Sequence, residues 1–380
     1  MLVIDPCFGS ELRRLRVSRG LSLRGLAGVA YYGKSHLHDL EAGRKQPTLE
    51  AAGHLDQALD AGGQLAALVR DVPLSADAQD RLDHAVRYPQ RADHRALDAL
   101  EMLLAGQRRL EDSMGAAAVI APVRTQLDLI GDLVSDSVDR LRPRLVGIAA
   151  QWAQYAGWLH IADNQPDLAR LWLGQALEWA TEAGCRDLVG TVLSFRAYSA
   201  EEQGRVGAMI GLTRSSIDQG DDVYVGQRAY ERYQLARGLV RADDLASAIE
   251  ALAAGDDLAQ AAAEWSGDIP PWHYYRSPAF FRLEAGVVHM LLSQSRAGHA
   301  ERAVELLTAG LAGLPSEARS ADWAGTYLCH LAVAHVRSGD KRAATAAVGR
   351  AHEIGRASQS ARLLARVSRV VSQHQLSTDS

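Results

Sequence analysis

Cysteine is scarce: Cys7, Cys185 and Cys329 are the only three among 380 residues. An odd number of widely separated thiols excludes a disulfide framework and a thiolate metal site, and it fits a reducing compartment. Long apolar runs are missing too, since nothing approaches the roughly 20 apolar residues that a membrane-spanning helix needs. The opening Met1-Leu2-Val3-Ile4-Asp5-Pro6 has no basic segment followed by an apolar one. No secretory leader is read there, and a cytoplasmic location is expected. Neither sign of charge dominates. A formal net charge of -5 and a pI near 6.2 argue against a chain coated in nucleic acid, although such totals average away a small basic face.

Catalytic and metal-binding spacings are also lacking. His36-Leu37-His38-Asp39 has the letters of a metal cluster, but residues two apart diverge on a helix and cannot grip one ion together. His330 and His335 are five apart and are assigned to packing or solvent. Thirteen histidines without a pairing motif do not make a site, so no metal, no cofactor and no enzymatic activity are expected.

What is present is helix. With 47% hydrophobic and 23% charged residues over 380 positions, the chain exceeds one compact core and divides into two or more folding units. Leu12 and Leu15 punctuate the basic run Arg13, Arg14, Arg16 and Arg19 before Gly20, which marks a helix and its stop. Ser22 caps a second helix with Leu23, Leu26, Ala27 and Ala30 inward. Leu37, Leu40 and Glu41 share one side of a third, with Ser35 and Asp39 opposite. Pro47-Thr48 restarts the chain into a fourth helix carrying Leu55 and Leu59. Short helices with a tight turn between the second and third spell a helix-turn-helix. From Ser10 to Pro47 the basic residues are Arg13, Arg14, Arg16, Arg19, Arg24, Lys34, Arg44 and Lys45, against Glu11, Asp39 and Glu41. That local excess is what phosphate binding needs.

The run from Leu12-Arg13-Arg14-Leu15-Arg16 through Gly20-Leu21-Ser22, Leu26-Ala27, Leu37 to Leu40-Glu41-Ala42-Gly43-Arg44 and Pro47-Thr48-Leu49 resembles the Xre/Cro-C1 class of helix-turn-helix regulators. The resemblance implies that Lys34, Ser35, His36 and Asp39 of the third helix point at base edges, with Arg44 and Lys45 on phosphates. It also implies a structural pair between Arg16 and Glu41. Asp39 departs from the family's usual amide or cation; it either accepts from a cytosine amino group or repels phosphate. Gly25 and Gly28 each weaken the second helix by roughly 1 kcal/mol relative to alanine.

Gly28-Val29-Ala30-Tyr31-Tyr32-Gly33-Lys34-Ser35 also satisfies the pattern of a phosphate-binding P-loop. Such a loop leaves a buried strand, whereas Ser22 to Ala27 is a capped helical pattern without β-branched residues. The P-loop is therefore set aside.

Breakers at Asp71-Val72-Pro73 and Tyr88-Pro89 mark 71–91 as a linker or a poorly patterned first helix. From Ala92 onward the periodicity is helical and no strand is predicted. Turn residues recur, each followed by small ones: Ala162-Asp163-Asn164 by Ala169 and Ala176, Gly204-Arg205 by Ala208, Ala242-Asp243 by Ala254, Gly298 by Ala303 and Gly310, and Gly339-Asp340 by Ala344 and Ala351. This looks like a divergent tetratricopeptide array with a period of about 40 instead of 34. Stacked pairs of that kind form a curved solenoid with a concave binding side.

Asp268 to Pro278 interrupts the period with aromatics between prolines, which forbids a regular helix. The plainer reading is a packing corner. The sharper one is the wall of a ligand groove, with Trp272 and Tyr275 offering faces and Arg276 a bidentate donor. This corner, together with Trp152 to Trp158 and Leu177-Glu178-Trp179-Ala180, is similar to actinobacterial Xre-class regulators with tetratricopeptide-like C-terminal regions.

The expectation is an all-α protein: a helix-turn-helix domain over 1–70, the linker at 71–91, and an α-solenoid over 92–380 that senses a ligand and supports a homodimer. Double-stranded DNA is the expected partner, and a peptide, a small metabolite or a protein is the effector. The alternative is a helical-repeat interaction scaffold whose helix-turn-helix has drifted from DNA.

Overall fold

The computed structural model describes residues 2–4, 8–30, 32–42, 45, 47, 49–71, 93–137, 140–316 and 318–378. Arg44 and the expected linker at 71–91, apart from Asp71, lie outside them. Among the described residues the regular structure is all helical but for one ribbon. Helices α1 (Phe8–Ser18), α2 (Leu23–Ala30), α3 (Lys34–Glu41), α4 (Leu49–Leu59) and α5 (Gln64–Ala67) build the first unit. Their apolar spacing converges Phe8, Leu12, Leu15, Leu26, Leu37, Leu40, Leu55 and Leu59 on one core. Ser22 Oγ accepts from the Gly25 amide at 3.0 Å and caps α2, while the Asp56 carboxylate caps α5 by accepting from Leu65 and Ala66 N-H at 2.8 and 2.7 Å. No strand occurs among the described residues from Asp93 onward, as the periodicity there implies; in the first unit β1 (Leu2–Ile4) pairs antiparallel with β2 (Val69–Asp71), Val3 opposite Arg70. Three-residue strands are too short to show alternation in sequence.

The second unit begins with α6 (His94–Met114) and α7 (Ala116–Asp136). Antiparallel pairs follow: α8 (Arg142–Ala162) with α9 (Pro166–Glu182), α10 (Arg186–Glu202) with α11 (Val206–Ile217), and α12 (Val225–Arg241) with α13 (Leu245–Ala263). Next come α14 (Pro278–Leu292) with α15 (His299–Gly313) and α16 (Asp322–Arg337) with α17 (Lys341–Ala357), closed by α18 (Ala361–His374). Each of those five pairs turns at a residue of positive φ, among them Asn164 at 57° and Asp243 at 62°. Past the turn, Ala169, Ala176, Ala303, Ala344 and Ala351 are fully buried, where a larger side chain would hold the two helices apart.

Two repeat registers differ from the sequence reading. Ala208 and Ala254 are only half-buried; the close-packed positions are Met209 in α11, and Ala248 and Gly255 in α13. A Cβ on Gly255 would sit 2.9 Å from the Tyr233 ring. The wide interval between α13 and α14 is filled by 264–277, including a 3-10 turn at Pro271–His273.

Candidate functional site

In the first unit, α3 presents Lys34 and Ser35 to solvent on its first turn. Gly33 is its N-cap, with no side chain bonded to the free amides. Those amides and the positive end of the helix dipole are an anion-binding arrangement. His36 is half-buried and stacks on Tyr32, ring centroids 5.4 Å apart at 27°. Asp39, half-buried, has Lys45 Nζ 3.7 Å from its Oδ2. Its charge is thereby partly neutralised within the protein.

Arg16 holds the other end of α3. Its Nε donates to Glu41 Oε1 at 2.5 Å, its Nη2 to Glu41 Oε2 at 2.9 Å, and its Nη1 to the Leu21 carbonyl at 2.8 Å. One guanidinium thus ties α1, the turn before α2, and α3. The basic excess divides accordingly. Arg14 pairs with Glu11 and Arg19 with Asp60, while Arg13, Arg24 and Lys34 are exposed and make no ion pair among the described residues. The P-loop letters fall across α2, the turn and the start of α3, with helix and not strand before Gly28.

In the second unit the first helices of successive pairs face inward around a cavity of about 380 Å³. In α12, Gln227, Glu231, Gln234 and Arg237 are all buried, and Arg237 lines the cavity. Arg237 pairs with Glu201 of α10 at 3.2 Å and with Glu284 of α14, which also accepts from Tyr327 of α16. Arg241 reaches Glu201 at 2.9 Å. Across the ring, α18 returns to α10 through Arg362 to Tyr198 at 2.8 Å and Arg366 to Glu202. Arg362 also holds Asp322 at 3.0 Å. Charge compensation keeps the Arg237 and Arg362 pKa values raised although burial opposes it.

The proline-aromatic segment contributes to this cavity. Trp272 and Tyr275 line it, as does Tyr274, which the sequence reading did not single out. Trp272 Nε1 donates to Thr191 Oγ1 at 3.1 Å, and Tyr274 donates to Asp112 Oδ2 at 2.8 Å. Arg276 is not among the lining residues. It is buried, donates to the Gly226 carbonyl at 3.2 Å, and lies 4.7 Å over the Tyr230 ring. The segment is therefore both a corner and a wall. Its buried His273, stacked on Tyr224, is held neutral by burial and by the nearby Arg276 and Arg108.

Sequence reasoning missed the Glu111–Asp112 pair and the Glu201, Arg237 and Glu284 cluster. The available signal was the spacing of Gln227, Glu231, Gln234, Arg237 and Arg241, a polar stripe at helical period in a helix that also has buried apolar residues.

Residues 8–69 match the family described as a helix-turn-helix domain. No curated protein matches the chain. Among solved structures, the chain is similar to BtubC (BKLC) from P. vanneervenii, at 17% identity and a TM-score of 0.43, covering 64% of this chain and 92% of that one. It is also similar to Bacillus thuringiensis PlcR in complex with the peptide PapR7 and DNA. There the identity is 12% and the TM-score 0.33, covering 96% of this chain and 98% of that one. Both are distant likenesses.

Proposed function

We propose that this chain is a cytoplasmic transcriptional regulator of the Xre class, which binds an operator in double-stranded DNA through α3 and answers to an effector through its helical repeats. The observation that carries this reading is the helix-turn-helix match over 8–69, with an exposed first turn of α3 that has no side-chain cap and with exposed Arg13, Arg24 and Lys34 that make no ion pair among the described residues. Lys34 and Ser35 meet base edges in the major groove, with His36 set against Tyr32 behind them. Asp39 faces the next bases, its charge moderated by Lys45. Arg13, Arg24, Arg44 and Lys45 hold phosphates, which position the helix without reading sequence. A homodimer places two such helices on paired half-sites. No catalytic role is proposed for any residue.

The scaffold alternative draws its support from Asp39 and from Gly25 and Gly28 of α2; the 3.7 Å approach of Lys45 to Asp39 weakens the first of these. Titration of labelled promoter DNA from upstream of the protein's own gene, at two salt concentrations, tests the proposal. Specific binding that weakens steeply with salt is expected. Absence of specific binding, or salt-insensitive binding, overturns it.

A further inference from the structure

The charges lining the cavity are not all matched. Arg237, Arg241 and Arg366 each have a carboxylate partner. Glu111 and Asp112 of α6 have none: no arginine, lysine or histidine lies within ion-pair distance of either among the described residues. Their oxygens are instead held by aromatic donors from three other elements. Trp158 Nε1 of α8 donates to Glu111 Oε1 at 3.3 Å, Trp323 Nε1 of α16 to Asp112 Oδ1 at 3.1 Å, and Tyr274 to Asp112 Oδ2 at 2.8 Å. All five residues line the cavity.

One turn earlier on α6, Arg108 also lines the cavity. It is only 5% exposed, its Nη2 is buried without a hydrogen-bond partner, and its guanidinium sits 5.8 Å from the centre of the Tyr155 ring. Residues three and four apart on a helix have Cβ atoms roughly 5–6 Å apart and are placed to pair. Here they do not, so an unmatched cation and an unmatched carboxyl pair stand side by side in one aromatic chamber. A buried charge without a counter-charge is costly, and a molecule that supplies both complements relieves both.

We propose that this cavity binds a small amino-acid-like compound, whose ammonium group lies against Glu111 and Asp112 between Trp158, Trp323 and Tyr274 and whose carboxylate or carbonyl accepts from Arg108. The aromatic faces add cation–π attraction for the ammonium and receive an apolar side chain. A volume of about 380 Å³ suits a small molecule. Burial and the adjacent Asp112 and Asp322 push the Glu111 carboxyl well up, Trp158 and Arg362 opposing them. Burial likewise lowers the Arg108 pKa. In both groups burial disfavours the charged form. The proposal deepens the reading of the repeats as the sensor, and its test contains no DNA, so failure of operator binding leaves it untouched and its own failure leaves operator binding untouched.

The test uses the full chain and three probes with a common phenylethyl body: phenylalanine, phenethylamine and hydrocinnamate, which carry both charges, the ammonium alone and the carboxylate alone. Binding is followed by the fluorescence of the cavity tryptophans. Saturable binding at millimolar concentration is expected for phenylalanine, weaker binding for phenethylamine, and binding roughly 10-fold weaker again for hydrocinnamate. Asp112→Asn should weaken the two amines and spare hydrocinnamate, while Arg108→Met should bring phenylalanine down to the level of phenethylamine. The ranking of probes on the unaltered protein needs no variant to fold. No saturable change with any probe, or hydrocinnamate binding as tightly as phenethylamine, overturns the proposal.

Discussion

Arg16 and Glu41 show how a single side-chain pair fixes the presentation of α3. Their side chains are 11% and 7% exposed, so removing one partner leaves a nearly buried charge unmatched. Glu41→Ala should lower the stability of the first unit by about 2–3 kcal/mol, read as a shift of the urea midpoint; an unchanged midpoint contradicts that role. Gly9 works with this pair. A Cβ there would lie 2.6 Å from the Leu40 carbonyl oxygen and 2.8 Å from that of Glu41, so α1 approaches the end of α3 only because the side chain is absent. Lys34 has the opposite character, being exposed and without an ion pair among the described residues. Lys34→Ala should cost about 1–3 kcal/mol of specific DNA affinity if it reads a base, and should chiefly reduce the salt slope if it touches only phosphate. Titrations at two salt concentrations separate these outcomes. The Arg16–Glu41 pairing was expected from the resemblance alone, which places both residues at fixed points of the motif, and the ion pair stands there. Gly9 was not, since a close backbone approach leaves no mark in periodicity. The moderation of Asp39 by Lys45 is a contact outside the helical period, which the letters do not specify.

Among elements, the repeats pair closely wherever a small residue meets a large one. A Cβ on Gly325 of α16 would fall 2.4 Å from Leu363 Cδ2 of α18, so Gly325→Ala should destabilise the C-terminal repeats by about 1–3 kcal/mol through overpacking. Thermal melts of wild type and variant check this, and an unaltered melting temperature contradicts it. The turns were readable in sequence because left-handed backbone selects Gly, Asn and Asp. The buried small positions were readable in three pairs and misregistered in two. In α11 the thioether of Met209 adapts to the gap that alanine fills elsewhere. In α13 the neighbouring Ala248, Ala254 and Gly255 are all small, and composition alone does not say which of them faces inward. The proline-aromatic segment was correctly marked as a break in the period. Its Tyr274, however, bonds to a residue 162 positions earlier, a distance over which no local pattern reports.

At the scale of the whole molecule, the second unit curls until its late helices meet its early ones. Trp323 bonds to Asp112 and Arg362 to Tyr198, so the cavity exists only when the full array is assembled. A half-buried histidine pair gives the contact between α14 and α15 an acid limit. His289 Nδ1 and His299 Nδ1 are 2.8 Å apart, so one ring donates and the other accepts, and protonating the acceptor breaks the contact. Burial, then the neighbouring His299 and Arg302, lower the His289 pKa from 6.5 to about 4. As pH falls, the unfolded chain takes up this proton near 6.5 and the folded chain only near 4. The stability contributed by neutral His289 is therefore complete above that window and lost through it. Relative to His289→Gln, wild type should lose stability as pH drops across the same range, as followed by denaturant midpoints; parallel curves contradict this account. The central claim, that α3 delivers the chain to specific DNA, is tested most directly by genome-wide mapping of the DNA bound by the full-length protein. The expected result is a small set of sites sharing two related half-sites, with weaker occupancy in Lys34→Ala. A distribution no different from background contradicts the account.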